Sequence, residues 1–548
     1  MAATQVSSSG WSPLGALSPT EFSEEVNSTS ELIRVVEDSN PQGKGRHLVA
    51  TRAISPGEVV LIECPLVGGS TTFRQRAKAF DETILKAADT SQDLAFLVDS
   101  PVCDCVADVV LAKEQAHALG QKSAKWDKED CERAGRRLRR LNSLCRTAKE
   151  DAQTSTDLSS LLQRALHPHL QELITEAEIR DIMLVLSSNG FGGSDSELEV
   201  MFAGSMFEHS CMPNVFVAAP WRRTSEGSRQ QWRASRPIEE GEALSIDYVN
   251  LPQSYFAHSN RSKVLEGWGF ECSCPRCTTL PEIARAFVCP TCKEPELCPG
   301  PPKQDPLTMT CRGCKTQAEA EYVEKCLSAE ELASTIFSQE TTEDVRKTFL
   351  QVESILGECH YVNFNLSWHR WMDGPNFDSE CTAEELEEYG LAADHVIKCL
   401  SRLCDSPLHP ELLSVYHSRA LLEHGDVESQ HSYLELERAV MQRFYPDECD
   451  QQDAEIMHMV QCMGPPSQAT KKEDYFFPEP EQDKDSEKQK QKSPNSAQLE
   501  DSKLGEKFEK VEKGAALGVN NTSTVPTPAR QAMMSGFDAQ SWSLSEMD

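Results

Sequence analysis

Short apolar runs separated by Gly/Pro turns occur in two parts of the chain. The first part extends from Glu31 to Leu66 and predicts strands over Leu48–Thr51 and Val59–Glu63. The second part covers residues 200–249 and contains the runs NVFVAAPW, QQWRASRPI and EALSIDYV. Both parts are therefore predicted to be rich in β-structure.

Helical patterns lie between and after these β-rich parts. Apolar and charged residues mix at helical spacing over residues 74–186, and the Gly-rich turn SSNGFGGSD follows. Residues 320–460 show the same pattern, with helices in loose pairs that leave a tetratricopeptide-like array open as an alternative. Two β-rich parts separated by helices predict one β domain interrupted by a helical insertion.

Composition distinguishes the two ends of the chain from its middle. Residues 1–30 are rich in Ser and Thr, and residues 465–548 contain polar runs such as KDSEKQKQKS, so both ends are predicted to be disordered. The resulting fold class is α+β. In chain order it comprises a first β-rich part (31–73), a helical insertion (74–180), a second β-rich part (181–250), a cysteine-rich region (251–318) and a C-terminal helical domain (319–464).

The charge balance limits the classes of partner. The 548 residues include 54 Lys and Arg against 87 Asp and Glu, which gives a formal net charge of -33. Nucleic-acid binding needs a basic face, so bare nucleic acid is disfavoured and a basic protein substrate agrees better with the composition. The N-terminal residues lack the features of a signal peptide, and no apolar run is long enough to span a membrane. We therefore expect a cytoplasmic or nuclear protein without a membrane segment.

The 21 cysteines indicate metal binding, because close cysteine pairs in a reducing compartment hold metals more often than they form disulfides. Cys289 and Cys292, followed by Cys311 and Cys314, have the spacing of a zinc ribbon, with Cys298 as a spare ligand in the same loop. Ribbons of this kind can also bind nucleic acid, but the loop CPTCKEPELCPGPPKQD contains few basic residues. The ribbon is therefore predicted to be structural.

Four motifs occur in an order that is specific, although each is weak alone. They are the loop Gly43-Lys44-Gly45-Arg46 and the segments SMFEHSCMPNV (205–215), ALSIDYV (243–249) and WGFECSCPRC (268–277). Together they resemble the SET family, and in particular its SET-and-MYND branch, over residues 32–72 and 180–280. The resemblance implies a split SET domain that uses S-adenosylmethionine to methylate protein lysines.

The resemblance also implies which residues contact the cofactor. These are Lys44, Gly45, Arg46, Asn189, Glu208, His209, Tyr248 and Phe270. Structural alternatives remain: the glycine loop is also typical of an ordinary turn, Asn189 of a helix end before Gly, and Phe270 of core packing. His209 also suits a buried structural role.

Glu208 departs from the family pattern, which has Asn at this position. A carboxylate can accept a hydrogen bond from the ammonium group of the cofactor, but it cannot donate one and it repels the cofactor's carboxylate. The residue therefore supports the alternative of a catalytically silent SET scaffold.

Tyr248 is the predicted catalytic residue. Methyl transfer needs a neutral amine aligned with the carbon–sulfur bond, and a phenol at the mouth of a narrow channel can orient that amine. An apolar channel also lowers the pKa of the substrate lysine. The alternative is a strand tyrosine packed in the core.

The resemblance implies a second set of zinc ligands, in which Cys272, Cys274 and Cys277 are joined by Cys211. Zinc held by four thiolates would tie this segment over the cofactor pocket. The MYND finger of the family is absent from the sequence, because its ligands cannot be assembled from the few candidates in the insertion. Those candidates are Cys103, Cys105, Cys131, Cys145 and His117.

Three functional hypotheses follow from these observations. The first is an active protein-lysine methyltransferase that acts on histone or non-histone lysines. The second is a silent scaffold whose C-terminal helical domain binds protein partners. The third, a zinc-dependent nucleic-acid binder, is disfavoured by the charge. The basic run GRRLRR (135–140) could serve as a localisation signal or docking face, although such runs are more often the solvated side of a helix.

Overall fold

The first β-rich part follows a short N-terminal helix. The computed structural model describes residues 15–37, 45–70, 76–87, 101–119, 121, 125–144, 152–192, 197–218, 230–302, 307–336, 352, 354–374, 382–404, 406–422 and 427–445. Its first elements are α1 (Pro19–Asn27), β1 (Ile33–Glu37), β2 (Arg46–Ala50), β3 (Val59–Glu63) and β4 (Val67–Ser70). The strand predicted over Val59–Glu63 has these bounds, whereas β2 begins at Arg46 because Arg46 and His47 pair with β1.

Helix α1 corrects the prediction that residues 1–30 are disordered. The Ser18 side chain and Glu21 form a reciprocal capping box at its first turn, which satisfies backbone N–H groups that the helix leaves without partners. Phe22 and Val26 are buried, and the Phe22 ring lies edge-on to that of Phe202, with centroids 5.0 Å apart. Residues 1–14 and the predicted tail over 465–548 lie outside the described residues.

The predicted insertion is helical. Its elements are α2 (Arg76–Ala79), α3 (Glu82–Ala87), α4 (Pro101–His117), α5 (Lys128–Asn142), α6 (Ala152–Ala165), α7 (Pro168–Gln171) and α8 (Glu176–Asn189). Asp127 caps α5, and Thr175 with Glu178 forms a capping box at α8. The apolar sides of these helices share one buried cluster with the β-rich parts.

The two β-rich parts form common sheets, so one β domain is interrupted by the insertion. The second part contains β5 (Gly190–Gly192), β6 (Glu197–Val200), β7 (Glu208–His209), β8 (Val215–Ala218), β9 (Gln230–Ala234) and β10 (Ser245–Ile246). Sheet orders are β4-β6-β5 and β3-β9-β8, which join strands from before and after the insertion. β7 and β10 pair in parallel, with Glu208 opposite Ser245 and His209 opposite Ile246.

A cysteine-rich region and a helical domain complete the described chain. They contain α9 (His258–Glu266), α10 (Pro275–Thr278), β11 (Leu297–Pro299), β12 (Met309–Cys311), α11 (Ala320–Ile336), α12 (Tyr361–Asp373), α13 (Ala383–Cys404), α14 (Leu413–Leu422) and α15 (Val427–Phe444). The predicted α+β class with a helical C-terminal region is confirmed. Among the described helices, none combines the length and apolar character that a membrane crossing requires.

The C-terminal helical domain packs against the β3-β9-β8 sheet. Phe216 on β8 contacts Phe444 and Tyr445 edge-on, with ring centroids 5.7 and 5.8 Å apart. Gly57, which precedes β3, has a φ of 79°, and an added Cβ there would lie 1.8 Å from the Arg443 carbonyl oxygen. This junction therefore requires glycine.

Arginines of the basic run on α5 form ion pairs with other elements of the same chain. Arg137 forms an ion pair with Asp108, Arg139 lies 3.0 Å from the Glu21 carboxylate, and Arg140 pairs with Glu25. These contacts tie α5 to α4 and α1. They favour a structural role for the run over the localisation signal or docking face considered from sequence.

Candidate functional site

A short turn fixes the position of the motif that contains Glu208 and His209. The Glu63 carboxylate accepts hydrogen bonds from the backbone N–H groups of Phe202, Ala203 and Gly204 at 2.9–3.1 Å. Burial raises the pKa of Glu63 overall, although these N–H groups favour its ionised form. The turn leads directly into β7 and so places its side chains.

Asn214 joins the end of the motif to the strand that precedes Tyr248. Its amide donates to the Glu242 carboxylate at 2.9 Å and to the Ala243 carbonyl at 2.8 Å, and its oxygen accepts from the backbone N–H of Ser245 at 2.8 Å. The side chain is buried. The amide therefore holds β10 beside β7, which brings Tyr248 next to His209.

Tyr248 lies in a group of aromatic rings. Its centroid is 5.3 Å from His209, 5.9 Å from Trp268 and 6.2 Å from Phe270. Its hydroxyl donates to the Phe207 carbonyl at 2.5 Å. Burial, with a smaller contribution from the Glu208 charge, raises the pKa of Tyr248 well above its ordinary value, so the phenol remains protonated.

His209 is enclosed and bonded on both sides of its ring. Its side chain is 0% exposed, Nδ1 accepts from the backbone N–H of Tyr248 at 3.1 Å, and Nε2 lies 3.3 Å from the Cys211 sulfur. Burial lowers the pKa of His209. The side chain therefore has the buried structural role that the sequence left open.

The other predicted cofactor residues are placed differently. Gly45 has a φ of 70°, which suits glycine, and Lys44 lies outside the described residues. The Arg46 side chain donates to the Ser143 carbonyl at 2.8 Å and its guanidinium covers the Phe22 ring at 4.0 Å. These contacts direct the side chain of Arg46 towards the helical insertion, so a cofactor contact at this position would involve its backbone.

Asn189 ends α8 and is buried. Its side-chain amide donates to the Val185 carbonyl one turn earlier at 2.9 Å. This contact corresponds to the helix-end alternative that the sequence left open. The following Gly190 is extended, with φ -75° and ψ 137°, and does not adopt the left-handed conformation that often ends helices.

Glu208 and Phe270 border the same region. The Glu208 carboxylate is 12% exposed and lies 3.9 Å from Nδ1 of His47 on β2. Phe270, whose ring centroid lies 5.9 Å from that of His209, is 38% exposed as a residue, so it is not simply packed in the core. An exposed aromatic face and a partly enclosed carboxylate suit the adenine and the ammonium group of S-adenosylmethionine, respectively.

The structure brings Cys211 together with the three cysteines that follow Phe270. Ligand atoms of Cys211, Cys272, Cys274 and Cys277 all lie within 4.8 Å of one another, and the Cys211 and Cys277 sulfurs are 3.6 Å apart. A zinc ion with Zn–S bonds of about 2.3 Å has an S···S edge of about 3.8 Å, whereas a disulfide needs about 2.0 Å. The donor set and spacing thus fit a tetrahedral zinc ion.

The second cysteine group also fits zinc. The sulfurs of this group also lie within 4.8 Å of one another, and those of Cys289 and Cys314 are 3.7 Å apart. Its members are Cys289, Cys292, Cys311 and Cys314. After each Cys-x-x-Cys pair, a lysine adopts a positive φ and its N–H donates to the first cysteine's carbonyl. These lysines are Lys293 (φ 67°) and Lys315 (φ 62°). Two strained, matching turns around four sulfurs are expected when a metal fixes both.

Cysteines outside these two groups do not join them. Cys298 is buried on β11, and its sulfur accepts from Arg402 at 3.7 Å. Cys103 and Cys105 are buried in α4, Cys131 is buried in α5, and Cys145 lies outside the described residues. Within the described ranges, these side chains belong to neither group that could hold a metal.

Three residues near the first cysteine group were not predicted as site residues. Arg261 and Glu282 are buried beside the sulfurs and form an ion pair of 3.2 Å. Trp268 borders the Tyr248 ring, with ring centroids 5.9 Å apart. The helix HSNRSKVLE gives no signal for a buried arginine, because Arg261 is surrounded in sequence by polar residues.

Comparison with known proteins agrees with the motifs. Residues 45–249 match the family model of the SET domain, which confirms the predicted resemblance. A SET and MYND domain-containing protein of Dictyostelium discoideum is 32% identical over 75 residues, which are 14% of this chain and 17% of that protein. Histone-lysine N-methyltransferase SET5 of Meyerozyma guilliermondii is 30% identical over 102 residues, which are 19% of this chain and 20% of that protein. The chain thus matches a fifth or less of either relative's length.

Solved structures of low similarity were also found. The SET domain of LSMT bound to lysine and AdoHcy is 12% identical with a TM-score of 0.28, covering 82% of this chain and 96% of that chain. Rubisco LSMT bound to AdoMet is 12% identical with a TM-score of 0.27, covering 82% of this chain and 93% of that chain.

Proposed function

We propose that this chain, whose residues 45–249 form a SET domain, is an S-adenosylmethionine-dependent protein-lysine N-methyltransferase. The observation that carries the proposal is the placement of Tyr248, whose hydroxyl bonds the Phe207 carbonyl inside a group of aromatic rings. One similar protein, the relative from Meyerozyma guilliermondii, is named a histone-lysine N-methyltransferase. A scaffold has no chemical need for a buried phenol arranged in this way.

Tyr248 orients the substrate amine in this proposal. Because its hydroxyl proton is directed to the Phe207 carbonyl, the lone pairs of the phenol oxygen remain available to accept from the lysine N–H. The raised pKa keeps the phenol neutral, so it does not hold the amine in its ammonium form. Trp268 and Phe270 provide apolar walls that lower the pKa of the amine towards the neutral nucleophile.

The residues that would hold S-adenosylmethionine surround the same ring group. Phe270 offers a face for the adenine, Glu208 accepts from the ammonium group, and the backbone of Gly45 and His209 approaches the remaining polar groups. When bound, the cofactor supplies an electrophilic methyl group on a sulfonium. The protein's own contribution is alignment and exclusion of water, which are the main requirements of a direct displacement.

Zinc is proposed at both cysteine groups. At the first group it would join Cys211, next to His209, to Cys272, two residues after Phe270. The ion would therefore fix the segment that carries the proposed adenine contact. At the second group it would stabilise the ribbon between the SET domain and the C-terminal helices, in a structural role.

The experiment that tests the proposal is a calorimetric titration of the full chain with S-adenosylmethionine, followed by incubation with labelled cofactor and total cell protein. Micromolar binding and label on lysines, mapped by mass spectrometry, are the expected results. Histone and non-histone lysines are both candidate substrates, and the cytoplasm or the nucleus is the proposed location. The identities of the labelled proteins would distinguish histone from non-histone substrates and nuclear from cytoplasmic ones.

A silent scaffold is the second candidate, and Glu208 is the observation that favours it. Its carboxylate stands where the family has an amide, and its charge opposes the carboxylate of the cofactor. In that case the C-terminal helical domain would bind protein partners. No cofactor binding up to millimolar concentration would support the scaffold, and retention on heparin at moderate salt would revive the nucleic-acid alternative.

A further inference from the structure

Arg261 on α9 contacts two of the four sulfurs in the first cysteine group. Its Nε lies 3.3 Å from the Cys211 sulfur and its Nη2 lies 3.5 Å from the Cys277 sulfur. Nη2 also lies 3.2 Å from the Glu282 carboxylate, and Nη1 donates to the Phe256 carbonyl. The residue is 1% exposed, so the guanidinium is fixed among these acceptors.

The charges in this buried site require such a cation. A zinc ion with four thiolates carries two net negative charges, and an uncompensated buried charge is costly. Glu282, 2% exposed, adds another negative charge. Arg276 is also buried, but it donates to the carbonyls of Ser254, Tyr255 and Phe256. Of these two buried arginines, Arg261 is the one whose N–H groups are directed at the sulfurs.

We propose that Arg261 is a positioning residue for the metal and sets the zinc affinity of the first cysteine group. Its guanidinium contacts the Cys211 and Cys277 sulfurs, so its positive charge stabilises the net negative charge that a zinc ion with four thiolates would carry there. Two N–H groups in a fixed fork also hold these sulfurs at the spacing of a tetrahedral edge. Glu282 in turn fixes the fork.

This inference rests on the zinc part of the proposed function and is independent of methyl transfer. The second cysteine group offers an internal reference, because the two sulfurs that Arg261 contacts, those of Cys211 and Cys277, both belong to the first group. A loss of affinity confined to one of two zinc ions would therefore identify the site that changed. Substitutions in the outer contacts of metal ligands typically reduce affinity about 10- to 100-fold.

The test is a chelator competition on the full chain with zinc alone as the probe. Arg261→Met is expected to lower the affinity for one of the two zinc ions about 10- to 100-fold and to leave the affinity for the other unchanged. Arg261→Lys, which keeps the charge but loses the fork, should fall between parent and Arg261→Met. Arg233→Met is the matched control, because it removes a guanidinium that is likewise 1% exposed but donates to the Gly57 carbonyl, away from both cysteine groups; it should leave both affinities within about twofold of the parent.

A spectroscopic readout separates sulfur contacts from general loss of structure. N–H···S hydrogen bonds lower the energy of the sulfur lone pairs, and their loss therefore lowers the energy of a sulfur-to-metal charge-transfer transition. In the cobalt-substituted protein, we expect this band to move to longer wavelength in Arg261→Met and to move less in Arg261→Lys. The band should not move in Arg233→Met. Unchanged zinc affinity and an unmoved band in Arg261→Met, or equal shifts in the two methionine variants, would overturn the inference.

If Arg261→Met does not fold, Arg261→Lys decides alone: affinity and band equal to those of the parent would reject the role of the fork. A parent chain that binds no zinc would instead remove the zinc part of the proposed function. The two failures are thus distinguishable by the metal content of the parent.

Discussion

Tyr248 donates its backbone N–H to Nδ1 of His209 at 3.1 Å. Because Nδ1 accepts this hydrogen bond, the proton of the neutral ring is on Nε2, which lies 3.3 Å from the Cys211 sulfur. One imidazole therefore connects the backbone of the proposed catalytic residue to a proposed metal ligand. The connection suggests that the metal site helps to fix Tyr248.

Two substitutions of His209 separate the two halves of this connection. His209→Asn keeps an acceptor near the position of Nδ1, and His209→Gln keeps a donor near the position of Nε2. Loss of one hydrogen bond costs about 1 kcal/mol, or about fivefold in an opening equilibrium. We expect the Tyr248 amide to exchange with solvent about fivefold faster in His209→Gln than in His209→Asn, measured by hydrogen exchange. Equal exchange in the two variants would contradict the connection.

Tyr248→Phe tests the proposed chemistry. The variant retains the ring and its aromatic neighbours but loses the hydroxyl that contacts the Phe207 carbonyl. We expect turnover to fall by about 100-fold or more, since orientation of the amine is lost. Binding of S-adenosylhomocysteine, measured by calorimetry, should remain within about threefold of the parent.

Tyr416→Phe is the matched control for this substitution. Its hydroxyl also donates to a backbone carbonyl, that of Pro407 at 2.7 Å, but it lies in the C-terminal helical domain. It should lower the free energy of unfolding by about 1 kcal/mol without reducing turnover. If Tyr248→Phe turned over as fast as the parent, Tyr248 would be removed from the mechanism.

Glu208→Asn tests whether the departure from the family weakens cofactor binding. The substitution restores the amide and removes the charge that repels the cofactor's carboxylate. We expect S-adenosylmethionine to bind about tenfold more tightly, as expected for about 1.4 kcal/mol of relieved repulsion. Glu208→Gln, which removes the charge but retains the length, shows whether charge or geometry is responsible. Unchanged or weaker binding in both would mean that the glutamate is adapted to its position near His47.

Metal analysis should distinguish the roles of the two cysteine groups. We expect two zinc ions per chain in the parent, and one after replacement of Cys272 and Cys274, or of Cys289 and Cys292, by Ser. Only the first double substitution should abolish cofactor binding, because Phe270 lies two residues before Cys272. The second should lower the thermal midpoint while cofactor binding persists. Equal loss of cofactor binding in both would show that the ribbon also supports the pocket.

Motifs predicted the site better than they predicted side-chain contacts. The spacing of Cys289, Cys292, Cys311 and Cys314 was sufficient to anticipate the second group, because close pairs on a short loop restrict where the sulfurs can lie. That Cys211 joins the other three cysteines was anticipated only from the family resemblance. Arg46 was predicted to contact the cofactor, yet its side chain bonds Ser143 in the insertion. No sequence pattern indicated that Arg261 is buried beside the cysteine sulfurs. Such contacts join segments that are distant in sequence, and local patterns do not encode those pairings.

The junction between Gly57 and the end of α15 is another long-range contact, and it can be tested with glycines alone. Gly57 and Gly241 have nearly the same positive φ, 79° and 80° respectively. An added Cβ at Gly241 meets nothing within 4 Å, whereas at Gly57 it would lie 1.8 Å from the Arg443 carbonyl oxygen. Both Gly→Ala substitutions impose the strain of a left-handed residue, about 1–2 kcal/mol. Gly57→Ala must also displace α15, so we expect it to lower the free energy of unfolding by a further 1–3 kcal/mol or so. Urea denaturation of the zinc-loaded chain measures both values, and equal losses in the two variants would mean that α15 does not pack on this turn in solution.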